Sequence, residues 1–155
     1  MTIAFIGAGN MAGSLIRGLM ASGYSADNIV AADPAQSQLD ALATLGISTT
    51  ENNDQAVALA DIVVLAIKPQ ITGDVVQALP ALQPDQLVIS IVAGIDTRSL
   101  GDWLPDRQPI VRCMPNTPAL LGAGITGLYA NSWVTNIQRG EAEAILNGVG
   151  SLSLI

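Results

Sequence analysis

Short apolar runs alternate along the chain with longer stretches in which apolar residues recur every three or four positions. The first pattern suits strands buried on both faces and the second suits helices with one buried stripe. Strands are predicted at Thr2 to Ile6, Ile29 to Ala32, Ile62 to Ile67, Leu87 to Val92 and Ile110 to Met114, with further ones at Gly124 to Tyr129 and Leu152 to Ile155 and a short one near Ile47. Helices are expected at Met11 to Ala21, Ala35 to Leu45, Asp54 to Ala60, Ile71 to Leu79, Thr97 to Trp103 and Thr135 to Val149. Asn10, Asn53 and Asp96 stand just before three of these helices, where a side-chain oxygen can accept an unpaired first-turn N–H. Pro34, Pro69, Pro80, Pro84, Pro105 and Pro115 fall outside the element interiors, as a residue without an N–H requires. Strand and helix alternate from end to end. This predicts an α/β fold with a doubly wound, mostly parallel sheet, in one domain over residues 1–155.

Composition sharpens that picture. Half of the residues are hydrophobic and only 12% are charged, which excludes a disordered tail. With 1 Phe, 2 Trp and 2 Tyr, the interior must be built from Val, Ile, Leu and Ala, as in buried parallel strands. The net charge is −7, and the six basic residues are scattered from Arg17 to Arg139, so neither nucleic acid nor an anionic membrane is expected as a partner. The lack of histidine removes a Ser-His-Asp triad, a Cys-His pair and any His-ligated metal site, and no metal is expected. A single cysteine, Cys113, forms no internal disulfide and suits a reducing, cytoplasmic compartment. The longest apolar run, Ile62 to Ile67, falls far short of the roughly 20 residues that span a bilayer. The start carries no basic flank or cleavage-like site, so no secretory signal is expected. The final segment, Val149 to Ile155, is an apolar strand with nothing after it, which leads us to expect a second domain in a longer enzyme.

The chemistry concentrates in a few segments. Ile3-Ala-Phe-Ile-Gly7-Ala-Gly9-Asn-Met-Ala12-Gly13 has the form G-x-G-x-x-A, directly after a strand and opening a helix. Gly7 permits the tight turn, Gly9 lets a pyrophosphate approach the backbone, and Ala12 lets the helix lie close to the strand. The N–H groups of residues 9 to 12 and the positive end of the helix dipole then favour a negative ligand. Asp33, 21 residues after Ala12, stands where an acid can bond the adenosine ribose. Taken alone it favours NAD, since no Arg or Lys occurs between Arg17 and Lys68. Asp33-Pro34 is also an ordinary turn pair, and Gln36, Ser37 or backbone N–H groups could serve a phosphate instead.

Lys68 is the only lysine and ends the most apolar strand, where an open parallel sheet binds its ligands and a lone cation could face the cofactor or a substrate carboxylate; a solvated strand-end lysine is the alternative. Asn53 either approaches a cofactor or caps its helix. Val111 to Ala119 leaves the fifth strand through two prolines that expose the Asn116 amide and the Thr117 hydroxyl, either to orient a small polar ligand or as a stiff turn. Cys113 is expected to be a small buried hydrophobe without a catalytic role. Met11 and Met114 read as packing residues, and Arg112 as a surface or sheet-edge cation.

Taken together, Phe5-Ile-Gly-Ala-Gly-Asn-Met-Ala12, Ala66-Ile-Lys-Pro69, Ser90-Ile-Val-Ala-Gly-Ile95 and Arg112-Cys-Met-Pro-Asn-Thr-Pro-Ala119 resemble pyrroline-5-carboxylate reductase over the whole 155 residues. The resemblance implies reduction of 1-pyrroline-5-carboxylate to L-proline by NADPH or NADH, the last step of proline biosynthesis. It implies an N-terminal Rossmann domain followed by a helical domain that dimerises and completes the active site, a domain absent from this chain. Cofactor contacts are implied at Ile6, Gly7, Ala8, Gly9, Asn10, Met11, Asn53, Ala66, Ile67, Lys68, Pro69, Val92, Ala93 and Gly94, alongside Asp33. Met114, Pro115, Asn116 and Thr117 are implied beside the nicotinamide and substrate, with Asn116 and Thr117 the candidate catalytic residues. Family preference favours NADPH, while Ala32-Asp33-Pro34-Ala35 leaves NADH open. The alternatives are a β-hydroxyacid dehydrogenase, a deazaflavin-dependent NADP reductase, or a non-catalytic dinucleotide-binding module. The chain alone is expected to bind cofactor with little turnover.

Overall fold

The computed structural model describes residues 1–115, 124–146 and 150–154. In chain order the elements are β1 (Ile3–Ile6), α1 (Asn10–Ala21), β2 (Ile29–Ala32), α2 (Gln36–Ala43), β3 (Ser48–Thr50), α3 (Asn53–Leu59) and β4 (Ile62–Leu65). They continue with α4 (Pro69–Ala78), β5 (Leu87–Ser90), α5 (Thr97–Trp103), β6 (Ile110–Pro115), β7 (Gly124–Ala130), α6 (Asn136–Leu146) and β8 (Gly150–Leu154). The strands form one sheet in the order β3-β2-β1-β4-β5-β6-β7-β8. The first six run parallel, β7 returns antiparallel to β6, and β8 lies parallel to β7.

Alternation along each strand splits the core into two layers. Ile3, Phe5, Ile29, Ala31, Ile62, Val64, Leu87 and Ile89 pack with residues of α1, α2 and α6, among them Leu15, Ile16, Leu39 and Ile145. Ala4, Ile6, Val30, Ala32, Val63, Leu65 and Val88 face the other way, onto Val57 of α3, Val76 of α4 and Leu100 of α5. Every position of β1, β2, β4 and β5 is buried, as expected for parallel strands covered by helices on both sides. The register places Ile3 opposite both Ile29 and Ile62, and Ile62 opposite Leu87, so the carboxyl ends of four strands finish level at Ile6, Ala32, Leu65 and Ser90.

Local differences from the predicted boundaries have physical causes. β4 ends at Leu65 and β5 at Ser90, two residues early, because the chain turns out of the sheet toward the loops of the carboxyl edge. α4 starts at Pro69, two residues before Ile71, since proline at a first helical position gives up an N–H that would be unpaired there. Two of the three expected helix caps are corrected. Gly9, not Asn10, precedes α1 and offers no side-chain cap. Asn52, not Asn53, caps α3, accepting the Asp54 N–H at 2.9 Å. Asp96 caps α5 as expected, through the Ser99 N–H at 2.8 Å. Met11 packs on the first core layer, and Arg112 is corrected from a sheet-edge cation to a half-buried residue of an interior strand, between Ser90 of β5 and Tyr129 of β7. No helix among the described residues is long and apolar enough to cross a membrane.

Candidate functional site: the cleft at the carboxyl edge of the sheet

The glycine turn joins β1 to α1 at the centre of the strand order. Gly7 sits at φ +102°, in the left-handed region, and its N–H donates to the Ala32 carbonyl at 2.8 Å. A Cβ on Gly7 would lie 2.2 Å from the Ala66 carbonyl oxygen, so only glycine lets the turn pass β4 so closely. Gly9 is different: a Cβ there would meet nothing within 4 Å, which leaves open space above the helix end. Among the described residues, no hydrogen-bond partner is present for the N–H groups of Gly9, Asn10, Met11 and Ala12. Four free amides at an uncapped helix start, with room above them, form a cradle for an anion such as a diphosphate.

Asp33 fixes the neighbouring turn. Its Oδ2 accepts the Ala8 N–H at 2.9 Å and its Oδ1 accepts the Ala35 N–H at 2.8 Å, while its own N–H donates to the Thr50 carbonyl at 3.2 Å. The carboxylate is therefore a turn residue and also a wall of the cleft. That cleft, of about 550 Å³, is lined by Ile6, Gly7, Gly9, Asp33, Asn53, Ala66, Ile67 and Lys68 from the predicted set. Freed from capping, Asn53 is half-buried in the wall, and Lys68 is exposed at the start of α4. Ala32, Pro34 and Ala35 of the Asp33 loop also line it, and the sequence reading missed Gln38, Glu51, Ile71 and Val75, which complete the lining. Ile71 and Val75 are four apart on one helix face, a legible spacing, but only the crossover places that face over the cleft.

Other predicted residues lie around this cleft. Ala8 and Asn10 border a second recess of about 320 Å³ between α1 and α2, together with Arg17 and Gln38. Arg17, remote from the Asp33 loop in sequence, thus lies beside the glycine turn, and Lys68 lines the same cleft as Asp33, so the gap in basic residues along the chain around Asp33 does not hold in space. Pro69 is exposed at the first position of α4. Val92 is buried in the second core layer, whereas Ala93 and Gly94 are exposed beyond the end of β5, with Gly94 at φ +76°. Met114 and Pro115 are the last residues of β6; Asn116 and Thr117 lie outside the described residues. Cys113 is buried, and desolvation pushes its thiol up to about 12, so it is a neutral packing group. The Ser99 N–H, bonded to the Asp96 carboxyl, holds that group below its usual range, with Arg112 and Arg98 adding smaller effects.

A mostly parallel sheet in this strand order, with a bare glycine turn and a free helix start at the carboxyl edge, defines a doubly wound α/β fold of the Rossmann type. The family described as NADP oxidoreductase, coenzyme F420-dependent, matches residues 2–94, and the chain belongs to it. Its resemblance to pyrroline-5-carboxylate reductases holds along the whole chain. The pyrroline-5-carboxylate reductase of Pseudomonas aeruginosa is 54% identical over 150 residues, covering 96% of this chain and 55% of that protein. The solved pyrroline-5-carboxylate reductase of Coxiella burnetii superposes with a TM-score of 0.95 at 39% identity, over 99% of this chain and 58% of that one. The Plasmodium falciparum pyrroline carboxylate reductase, solved with NADP bound, gives 0.85 at 25% identity, over 100% of this chain and 57% of that one. The chain thus spans a little over half the length of these relatives.

Proposed function

We propose that this chain is the coenzyme-binding part of a pyrroline-5-carboxylate reductase, which reduces 1-pyrroline-5-carboxylate to L-proline at the end of proline biosynthesis. The observation that carries this reading is the 54% identity over 96% of the chain to a protein of that name. The coenzyme is NADPH or NADH. Its diphosphate rests on the N–H groups of Gly9, Asn10, Met11 and Ala12, and its adenosine ribose lies against Asp33. Ile6, Gly7, Ala8, Asn53, Ala66, Ile67, Lys68 and Pro69 border its path. The path then runs past Val92, Ala93 and Gly94 toward Met114, Pro115 and Asn116, with Thr117 and Asn116 the polar groups beside the substrate.

When bound, the reduced nicotinamide supplies a hydride from its C4 to the imine carbon, while the C=N π pair becomes a lone pair on the nitrogen. The task of this chain is orientation, since hydride moves only over a short, aligned distance. A protonated imine is already electrophilic, so a chain without histidine can serve such a reduction. The remainder of the enzyme, a helical domain by family resemblance, completes the substrate site and joins subunits into a homo-oligomer in the cytoplasm.

Calorimetric titration of NADPH and NADH, followed by an assay of coenzyme oxidation with 1-pyrroline-5-carboxylate, tests the proposal. Residues 1–155 should bind coenzyme and turn over slowly. Absence of coenzyme binding would remove the reading, and full enzymatic rates from these residues alone would remove the assignment of substrate binding to a second domain. Oxidation of 3-hydroxyisobutyrate in preference to imine reduction would favour a β-hydroxyacid dehydrogenase instead.

A further inference from the structure

We infer that Arg17 is a determinant of coenzyme choice: its guanidinium receives the 2′-phosphate of NADPH, so that the chain takes NADPH despite the carboxylate of Asp33. The inference rests on the proposed placement of the dinucleotide in the larger cleft. The recess of about 320 Å³ beside the glycine turn is bordered by Gly9, Asn10, Ser14, Arg17, Gln38 and Leu42. It shares Gly9 and Gln38 with the cleft that contains Asp33, so the two spaces meet at the edge where a ribose held by Asp33 presents its 2′ position. Among the described residues, Arg17 is the sole ionisable group lining the recess, whose other polar side chains, Asn10, Ser14 and Gln38, are neutral donors.

Gly13 gives a second, independent observation. It lies inside α1 with no left-handed backbone angle, a position where glycine weakens a helix relative to alanine. A Cβ there would stand 2.8 Å from Nη1 of Arg17. The bare position lets the guanidinium fold back along the helix over Gly13, on the side of the recess, while it stays open to solvent. An arginine so placed can offer paired N–H donors to a phosphate.

Asp33 acts in the opposite sense. Both of its oxygens are fastened by backbone N–H groups, so the carboxylate is held in the cleft wall and cannot swing away from a 2′-phosphate. Its free lone pairs suit the two ribose hydroxyls of NADH. The two residues divide the work, Asp33 favouring NADH and Arg17 favouring NADPH, and the chain accepts both.

Calorimetric titration of NADPH and NADH into the protein and into Arg17→Ala, Arg17→Lys and Asp33→Ser variants, with melting curves for each, tests this division. Arg17→Ala should raise the ratio of the NADPH to the NADH dissociation constant by about tenfold. Arg17→Lys should recover part of that change, because it keeps the charge without the paired donors, and Asp33→Ser should lower the ratio. Added salt should raise the wild-type ratio toward that of Arg17→Ala, because the arginine is exposed. An Arg17→Ala protein with an unchanged melting temperature and an unchanged ratio overturns the role of Arg17 alone. A wild-type protein that binds neither coenzyme overturns the cleft reading together with it.

Discussion

Gly7 and Gly9 stand two residues apart in one motif, yet they answer to different constraints. Gly7 has both a left-handed backbone and a carbonyl 2.2 Å from where its Cβ would be, so Gly7→Ala should cost about 3 kcal/mol or more in denaturant unfolding. Gly9 has an ordinary φ of −81° and empty space around it. Gly9→Ala should leave stability within about 0.5 kcal/mol while weakening coenzyme binding in the calorimeter, because the methyl group intrudes on the space above the free amides. Equal loss of stability in both variants would contradict this contrast. Cys113 offers a pH signature. Its folded pKa is raised from 9.0 to about 12, so its contribution to stability is fully present below pH 9 and declines as pH rises toward 12. Cys113→Ala should therefore have a shallower loss of stability on the alkaline side in urea unfolding, and iodoacetamide should label the wild-type thiol at neutral pH only when urea is present.

At the scale of elements, buried glutamines tie together the connections at the amino edge of the sheet. Gln86 is buried before β5, and its Nε2 donates to the Val57 and Ala60 carbonyls at 3.1 and 2.8 Å, closing the end of α3. Its Oε1 accepts the Gln83 N–H, and Gln108 Nε2 donates to the Gln83 and Gln86 carbonyls at 3.0 and 2.6 Å, so the connection into β5 is tied to the start of β6. Gln86→Leu takes their partner from the Ala60 carbonyl and the Gln83 N–H, while the Val57 carbonyl keeps the Ala60 N–H, and should cost about 2 kcal/mol, read by chemical denaturation. None of this was visible along the sequence, where glutamines in a connection look like solvent-facing loop residues. The strands were visible, because continuous apolar runs mark strands covered on both faces. Helix starts were visible only to within a residue or two. Asn10 and Asn53 were the expected caps, and the backbone entering each helix put the residue before, Gly9 in one case and Asn52 in the other, at that position.

Across the whole molecule, β1, β2, β4 and β5 contribute alternate side chains to both core layers, so neither layer can be lost while the other remains packed. Unfolding should be a single cooperative transition, with far-ultraviolet circular dichroism and the fluorescence of Trp103, which packs on the second layer, changing together. Two separated midpoints would show that the layers open independently. The sequence by itself determined the alternation of strand and helix, the parallel buried sheet, the glycine turn and the family resemblance, because these follow from local periodicity and from contiguous motifs. Tertiary structure alone decided which distant residues share a wall. It brought Asn53, Lys68, Ile71 and Asp33 around one cleft, fastened Asp33 to Ala8, and laid Arg17 beside Gln38. The physical reason is that crossover connections and strand register set those neighbours, and contacts between residues far apart in the chain leave no periodic trace within it.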